Sequence, residues 1–222
     1  MNRIFVWDLP LRLFHWLLVL LIVISWTSVS IGGNAMQIHM LSGYTILTLV
    51  LFRILWGFLG SQHARFASFA RGPAAVIAYL RALRRNNASQ HLGHNPAGGW
   101  SVIAMLTVLL VQAATGLFAN DDIATEGPLA KLVSKAMSDR ITGIHHLNVK
   151  LLYVLIGLHL AAVAFYFFRK RENLVKSMFT GFKDVAAGLG DAVQARGKNW
   201  LAALLLAACA AGVYLLIKLP AA

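Results

Sequence analysis

Five apolar stretches, each about as long as a lipid bilayer is thick, constrain this chain more than any other feature. A hydrocarbon core of about 30 Å takes roughly 20 residues of helix. The stretches run from Leu11 to Val29, His39 to Leu59, Trp100 to Phe118, Ile144 to Phe168 and Trp200 to Ile217. Lipid offers the backbone no hydrogen-bond partner, so each stretch is expected to be a helix. Of 222 residues, 59% are hydrophobic and 13% are charged, against about 25% charged in a typical soluble domain. The fold class expected is an all-α membrane protein, with four transmembrane helices in a bundle and a fifth at the C-terminus.

The formal net charge of +12 does not imply nucleic acid. The basic residues fall between the apolar stretches, where anionic lipid head groups are the natural partner. The segment from Gly60 to Gly99 carries Arg65, Arg71, Arg81, Arg84 and Arg85 and no acid. The segment from Ala119 to Gly143 mixes both signs, and the segment from Arg169 to Asn199 is basic again. This alternation places the N-terminus and both basic segments in the cytoplasm and the C-terminus in the periplasm. The first stretch is read as a retained span, since His15-Trp16 interrupts it and no small-x-small cleavage site follows. One cysteine, Cys209, excludes a disulfide framework and a thiolate metal site, and no C-x-x-C-H occurs. Gly72-Pro73 opens a short amphipathic helix reaching Leu83, and Asn95-Pro96 suits a helix start.

Four of the eight histidines, His15, His39, His145 and His159, lie inside or at the end of an apolar stretch. Any one alone is as well explained by a helix–helix hydrogen bond. Together they form a pattern. His145 and His159 are 14 residues apart, about 40° short of four turns and roughly 21 Å along one helix face. His15 shares the inner depth with His159, and His39 shares the outer depth with His145. Two imidazoles on opposite sides of a porphyrin give a six-coordinate b-type haem suited to electron transfer. The expectation is two haem b groups, with iron held by His15 and His159 on the cytoplasmic side and by His39 and His145 on the periplasmic side. His146 is an alternative to His145, and His63 is a rival to His15. Zinc fits less well, because neither depth offers further ligands.

The neighbouring residues carry two readings each. Gly43, one turn after His39, makes room for a ring or for a neighbouring helix. Arg53, 14 residues after His39, pairs with a haem propionate or snorkels to the interface. Gln112 is a weak quinone-site candidate or a helix–helix bond. His63, His91 and His94 are read as solvated loop residues.

The run "VWDLPLRLFHW" resembles the opening of the bacterial di-haem cytochrome b561 family, which includes the b-type cytochrome subunit of nickel–iron hydrogenases. Further matching runs are "HMLSGYTILTLVLFRILWGFLGS", "GHNPAGGWSV", "QAATGLF" and "HLNVKLLYVLIGLHLAAVAFYFF". The resemblance implies a four-helix core with two b haems over residues 1–181, leaving 182–222 as a linker and an extra helix. It implies a multi-pass protein of the bacterial inner membrane, acting as a quinone-linked oxidoreductase subunit. The implied partners are quinone and a periplasmic c-type cytochrome or hydrogenase, and a homodimer is compatible with it. A stand-alone superoxide:quinone oxidoreductase and a non-redox structural or transport subunit are the competing readings.

Overall fold

A computed structural model describes residues 2–85, 87, 89–185 and 197–219. Strand β1 (Asn2–Phe5) leads to helix α1 (Leu9–Ile31), and a 3₁₀ turn at Gly33–Ala35 leads to α2 (Met36–Leu59). The short helices α3 (Phe66–Phe69) and α4 (Pro73–Arg84) precede α5 (Pro96–Gly116). Helix α6 (Lys135–Arg169), α7 (Leu174–Thr180), strand β2 (Phe182–Val185) and α8 (Asn199–Lys218) follow. Five helices, α1, α2, α5, α6 and α8, are long and apolar enough to cross a membrane. Four of them contain an expected stretch whole, and α5 ends at Gly116, two residues short of Phe118.

Side-chain caps set several helix starts. Asp8 Oδ1 accepts the Leu11 N–H at 2.8 Å, and Pro10 sits in the first turn of α1, where a missing N–H costs nothing. Asn95 Oδ1 accepts the Gly98 N–H at 2.8 Å at the start of α5. Asn173 Oδ1 accepts the Lys176 N–H at 2.8 Å at the start of α7.

Helix α6 differs from expectation. It has 35 residues, roughly 52 Å of helix, and begins at Lys135 rather than near Ile144. His145 therefore lies almost three turns inside it. Its first turns are polar, so hydrophobicity does not reveal them. Ser134 Oγ accepts the Met137 N–H at 3.3 Å, and Lys135 bridges Asp139 one turn on. Further along, Leu147, Leu151, Val154 and Leu158 form an exposed apolar stripe suited to lipid, whereas Leu152 is buried.

The chain forms two compact units, and each long helix contributes residues to both. The first comprises Met1–Leu13, Leu55–Ala104 and Leu155–Ala202. There β1 pairs antiparallel with β2, from Asn2 opposite Val185 to Phe5 opposite Phe182. This small sheet was not expected, and its second strand begins just after residue 181. The expected linker beyond it falls largely on residues 186–196, outside the described residues. Gly181 (φ 83°) accepts the N–H groups of Val6 and Trp7 at 2.8 and 3.1 Å. A Cβ there would meet the Trp7 carbonyl at 2.7 Å, so both conformation and space call for glycine. Trp56 is fully buried and donates its Nε1–H to Asp8 Oδ2 at 3.0 Å. His94 is not a solvated loop residue, since its ring packs 4.7 Å from Trp7 and 4.8 Å from Phe69.

The second unit comprises Phe14–Ile54, Met105–Val154 and Ala203–Ala222. Leu47, Leu117, Leu129 and Val213 form a buried cluster, with Tyr44, Phe118 and Ile217 packed against it. Val213 and Ile217 bring α8 into this core. In the loop after α5, Asp121 Oδ1 accepts the N–H groups of Thr125, Ala124 and Ile123 at 2.8, 2.9 and 3.0 Å. These donors, Thr125 foremost, hold its carboxyl well below the usual carboxylate range.

Two predictions follow from these contacts. Asp8→Ala removes a cap and leaves the Trp56 N–H buried without its acceptor. It is expected to lower stability by about 1–3 kcal/mol, measured by thermal unfolding in detergent. Asp121 favours its charged form in the folded loop. Its contribution is therefore full above the ordinary carboxylate value of about 4 and is lost as pH falls through the lower folded value. Hydrogen-exchange protection at Ile123–Thr125 should hold from neutral pH to about 4 and decline in more acid solution. In Asp121→Ala it should be low throughout.

Candidate functional site

The second unit gathers polar side chains from α1, α2, α5 and α6 around a cleft within otherwise apolar helices. Ile22, His39, Gly43, Gln112, Gly116 and His145 line it. On one side, His39 Nδ1 lies 3.0 Å from the Ser25 carbonyl and 3.1 Å from Ser25 Oγ. A carbonyl only accepts, so Nδ1 carries the proton and Nε2 keeps its lone pair.

On the other side, His145 Nδ1 lies 3.0 Å from the Gln112 carbonyl and 3.1 Å from Thr115 Oγ1. The Thr115 hydroxyl already donates to the Val111 carbonyl at 2.7 Å, so it accepts from the ring. His145 is thus also an Nδ1–H tautomer. Its Nε2 lone pair accepts from the Gln112 side-chain amide at 3.0 Å. Asn148 orients that amide by donating to Gln112 Oε1 at 2.8 Å, and it also donates to the Val108 carbonyl at 2.9 Å.

The two ring centroids are 6.4 Å apart and their planes lie 85° to each other. Imidazole nitrogen binds a metal at about 2.0–2.1 Å. With each ring centre a little over 1 Å behind its nitrogen, two imidazoles flanking one metal atom have centroids roughly 6.3 Å apart. The donor set fits haem iron on three counts: the spacing, the Nε2 lone pairs, and the carbonyls that hold both Nδ1–H groups. The amide hydrogen bond on His145 and an iron compete for one lone pair, so ligation requires the Gln112 amide to move aside.

Glycines provide the room. A Cβ on Gly43 would meet nothing within 4 Å, which leaves the cleft open at that point. A Cβ on Gly116 would lie 3.1 Å from His145 Cε1. His146 is exposed and does not line the cleft. Gln112 bonds to a neighbouring helix, the second of its two sequence readings. Arg53 is only 2% exposed, so its guanidinium is buried and does not snorkel.

The structure brings His39 and His145 together. His15, edge-on to Trp16, lies in the second unit, and the half-buried His159 lies in the first. Among the described residues, no three His, Cys, Asp or Glu side chains gather to hold a metal ion. Sequence reasoning missed Ser25, Thr115, Gly116 and Asn148. Asn148 carried a signal, being an amide in an apolar stretch three residues after His145.

Apolar helices long enough to cross a membrane, with two neighbouring imidazoles anchored to backbone carbonyls, are what a membrane b-type cytochrome needs. The chain belongs to the prokaryotic cytochrome b561 family, which matches over residues 6–181. It is 24% identical over 215 residues to a probable Ni/Fe-hydrogenase B-type cytochrome subunit of Azotobacter chroococcum mcd 1, covering 82% of this chain and 89% of that one. A probable Ni/Fe-hydrogenase B-type cytochrome subunit of Rhizobium leguminosarum bv. viciae is 24% identical over 218 residues, covering 82% and 91%. A probable superoxide oxidase CybB of Yersinia pestis is 25% identical over 179 residues, covering 74% and 90%. No solved structure matches the chain significantly. The protein is therefore a multi-pass membrane cytochrome of electron transfer, with haem as its cofactor, and the non-redox reading falls.

Gly116→Val should push the His145 ring out of register, and Gly43→Leu should fill the cleft. Each is expected to lose most of the haem held there, read as haem per protein by pyridine haemochrome. Ser25→Ala keeps the carbonyl and should retain it.

Proposed function

We propose that this chain carries electrons across the bilayer between a periplasmic redox partner and quinone, using two b haems. His39 and His145 hold the outer iron. His15 and His159 hold the inner one, a pairing that rests on their matched depths in the sequence. The observation that carries the reading is the 6.4 Å spacing of His39 and His145, with Nδ1 of each tied to a backbone carbonyl.

Held by such imidazoles, haem b would supply a one-electron couple. The chain's own residues do the rest. The Ser25 and Gln112 carbonyls fix the tautomer and orientation of each ring and raise its basicity. The apolar lining keeps water out. Gly43 would leave space for the ring, and the buried Arg53 guanidinium would supply a positive charge for a propionate. The basic loops put the N-terminus in the cytoplasm and the C-terminus in the periplasm.

The hydrogenase-associated names of two relatives favour a hydrogenase as the periplasmic partner. A c-type cytochrome is the other partner of suitable chemistry, and a homodimer is compatible with either. A second reading draws on the Yersinia relative, named as a probable superoxide oxidase. In it, two superoxide anions each give up one electron and leave as dioxygen. The two electrons and two protons convert one quinone to quinol.

Reduced-minus-oxidised spectra with haem quantification test the main reading. About two haems per chain are expected, with one lost in each of the His15, His39, His145 and His159→Ala variants and none in His146→Ala. A chain with no haem, or variants that all retain it, would overturn the assignment. Stopped-flow mixing with superoxide separates the two readings. Rapid haem reduction without any partner protein supports the second, and its absence supports the first.

A further inference from the structure

Lys150 stands at the depth where lipid tolerates a charge least. Two hydrogen bonds fix that depth. His145 meets the Gln112 carbonyl and Asn148 meets the Val108 carbonyl, so α5 and α6 run antiparallel side by side. Helix α5 has 21 residues, Pro96–Gly116, roughly 32 Å and about one hydrocarbon core. Lys150, two residues past Asn148, is level with Leu106, the middle of α5. Either end of α5 is then roughly 15 Å away. An extended lysine side chain spans about 6 Å, so Lys150 does not snorkel to a head group.

Its side chain lies on the surface of the helix. His146 and Lys150 are exposed, and Tyr153 is 46% exposed. One turn separates each from the next, so the three form a single stripe on α6. Leu147, Leu151 and Val154 beside them are exposed as well, which sets the stripe against lipid. Among the described residues no side chain is paired with the Lys150 ammonium, the four salt bridges all lying elsewhere. Tyr153 also lines the cleft that holds His39 and His145, so that cleft reaches the lipid-facing surface next to this stripe. An exposed cation at mid-depth in a membrane calls for a partner that comes from outside the chain.

The depth narrows the choice of partner. A phospholipid phosphate stays in the head-group layer, about 15 Å from the midplane. A second copy of this chain brings no carboxylate, because none of the five apolar stretches contains Asp or Glu. A quinone dissolves in the hydrocarbon itself. Its carbonyl oxygens accept hydrogen bonds and gain negative charge as the ring takes an electron, so a fixed ammonium favours both states. We propose that a quinone ring docks on the lipid-facing surface of α6, with one carbonyl accepting from the Lys150 ammonium and the ring beside Tyr153 at the mouth of the cleft. The isoprenoid tail stays in the bilayer. The proposal rests on the quinone reading above and gives that reading a site.

Photolabelling of the haem-loaded protein in phosphatidylcholine nanodiscs tests it, with azido-ubiquinone and azido-menaquinone as probes. Peptide mapping should find label on residues 146–153, and unlabelled quinone should displace it. In Lys150→Met the affinity read from that displacement should fall about tenfold or more, the worth of a hydrogen bond to a charged group. Lys150→Arg should keep most of it. Both variants should hold as much haem as the parent, and Lys150→Met should melt no lower, since it removes a charge from lipid. Label confined to other segments, or unchanged affinity in Lys150→Met, overturns the site and leaves the quinone reading standing. No displaceable label on any segment overturns the quinone reading as well. Unchanged affinity together with loss of a dimer or of a co-purifying protein assigns the ammonium to a neighbouring helix. Unchanged affinity together with loss of bound phosphatidylglycerol assigns it to a lipid phosphate. If Lys150→Met does not accumulate, the label map on the parent protein decides.

Discussion

An imidazole inside hydrocarbon needs an acceptor for its N–H, and the candidate site in this protein depends on how that need is met. Each of the two facing histidines turns Nδ1 to a helix carbonyl, Ser25 for His39 and Gln112 for His145. A carbonyl oxygen has two lone pairs, so it can serve the ring while remaining part of the helix ladder. This spends no charge in the membrane and leaves Nε2 basic on both sides of one cleft. The Nδ1–H tautomer is thus selected by the backbone of α1 and α5, at positions that carry no ionisable residue.

Gln112 shows how finely such a site is balanced. Its carbonyl orients His145 while its side-chain amide bonds the same ring's other nitrogen, with Asn148 holding the amide in place. A neutral hydrogen bond is worth about 0.5–1.5 kcal/mol net, far less than a metal–imidazole bond. The amide keeps the ring satisfied and correctly turned, and its bond is weak enough for the proposed iron to displace it.

The other unit is organised around tying down the N-terminal segment. Buried Asp8 caps α1 and accepts from Trp56, the Gly181 turn binds the backbone after β1, and β2 closes against β1. Helix α4 is anchored there through Tyr79 and α5 through Asn95, so the segment of five arginines is held by specific contacts.

Much of this was legible in the residues themselves. Hydrophobic length alone announced the five long helices, because lipid leaves a backbone no other choice, and helical periodicity put His145 and His159 on one face. The caps Asn95 and Pro73 were readable because capping is local chemistry. The polar start of α6 was not, since hydrophobicity does not mark it, and neither were the β1–β2 pairing and the packing of His94, since both depend on residues distant in sequence. The sequence likewise left Arg53 between two readings, and burial decided against snorkelling. Ser25, Thr115, Gly116 and Asn148 became site residues only once helices from four places in the chain were side by side. Sequence determines which segments must be helical and which side chains are costly in lipid. Tertiary structure alone decides which of those side chains satisfy one another, because that depends on helix rotation and depth, which no single segment contains.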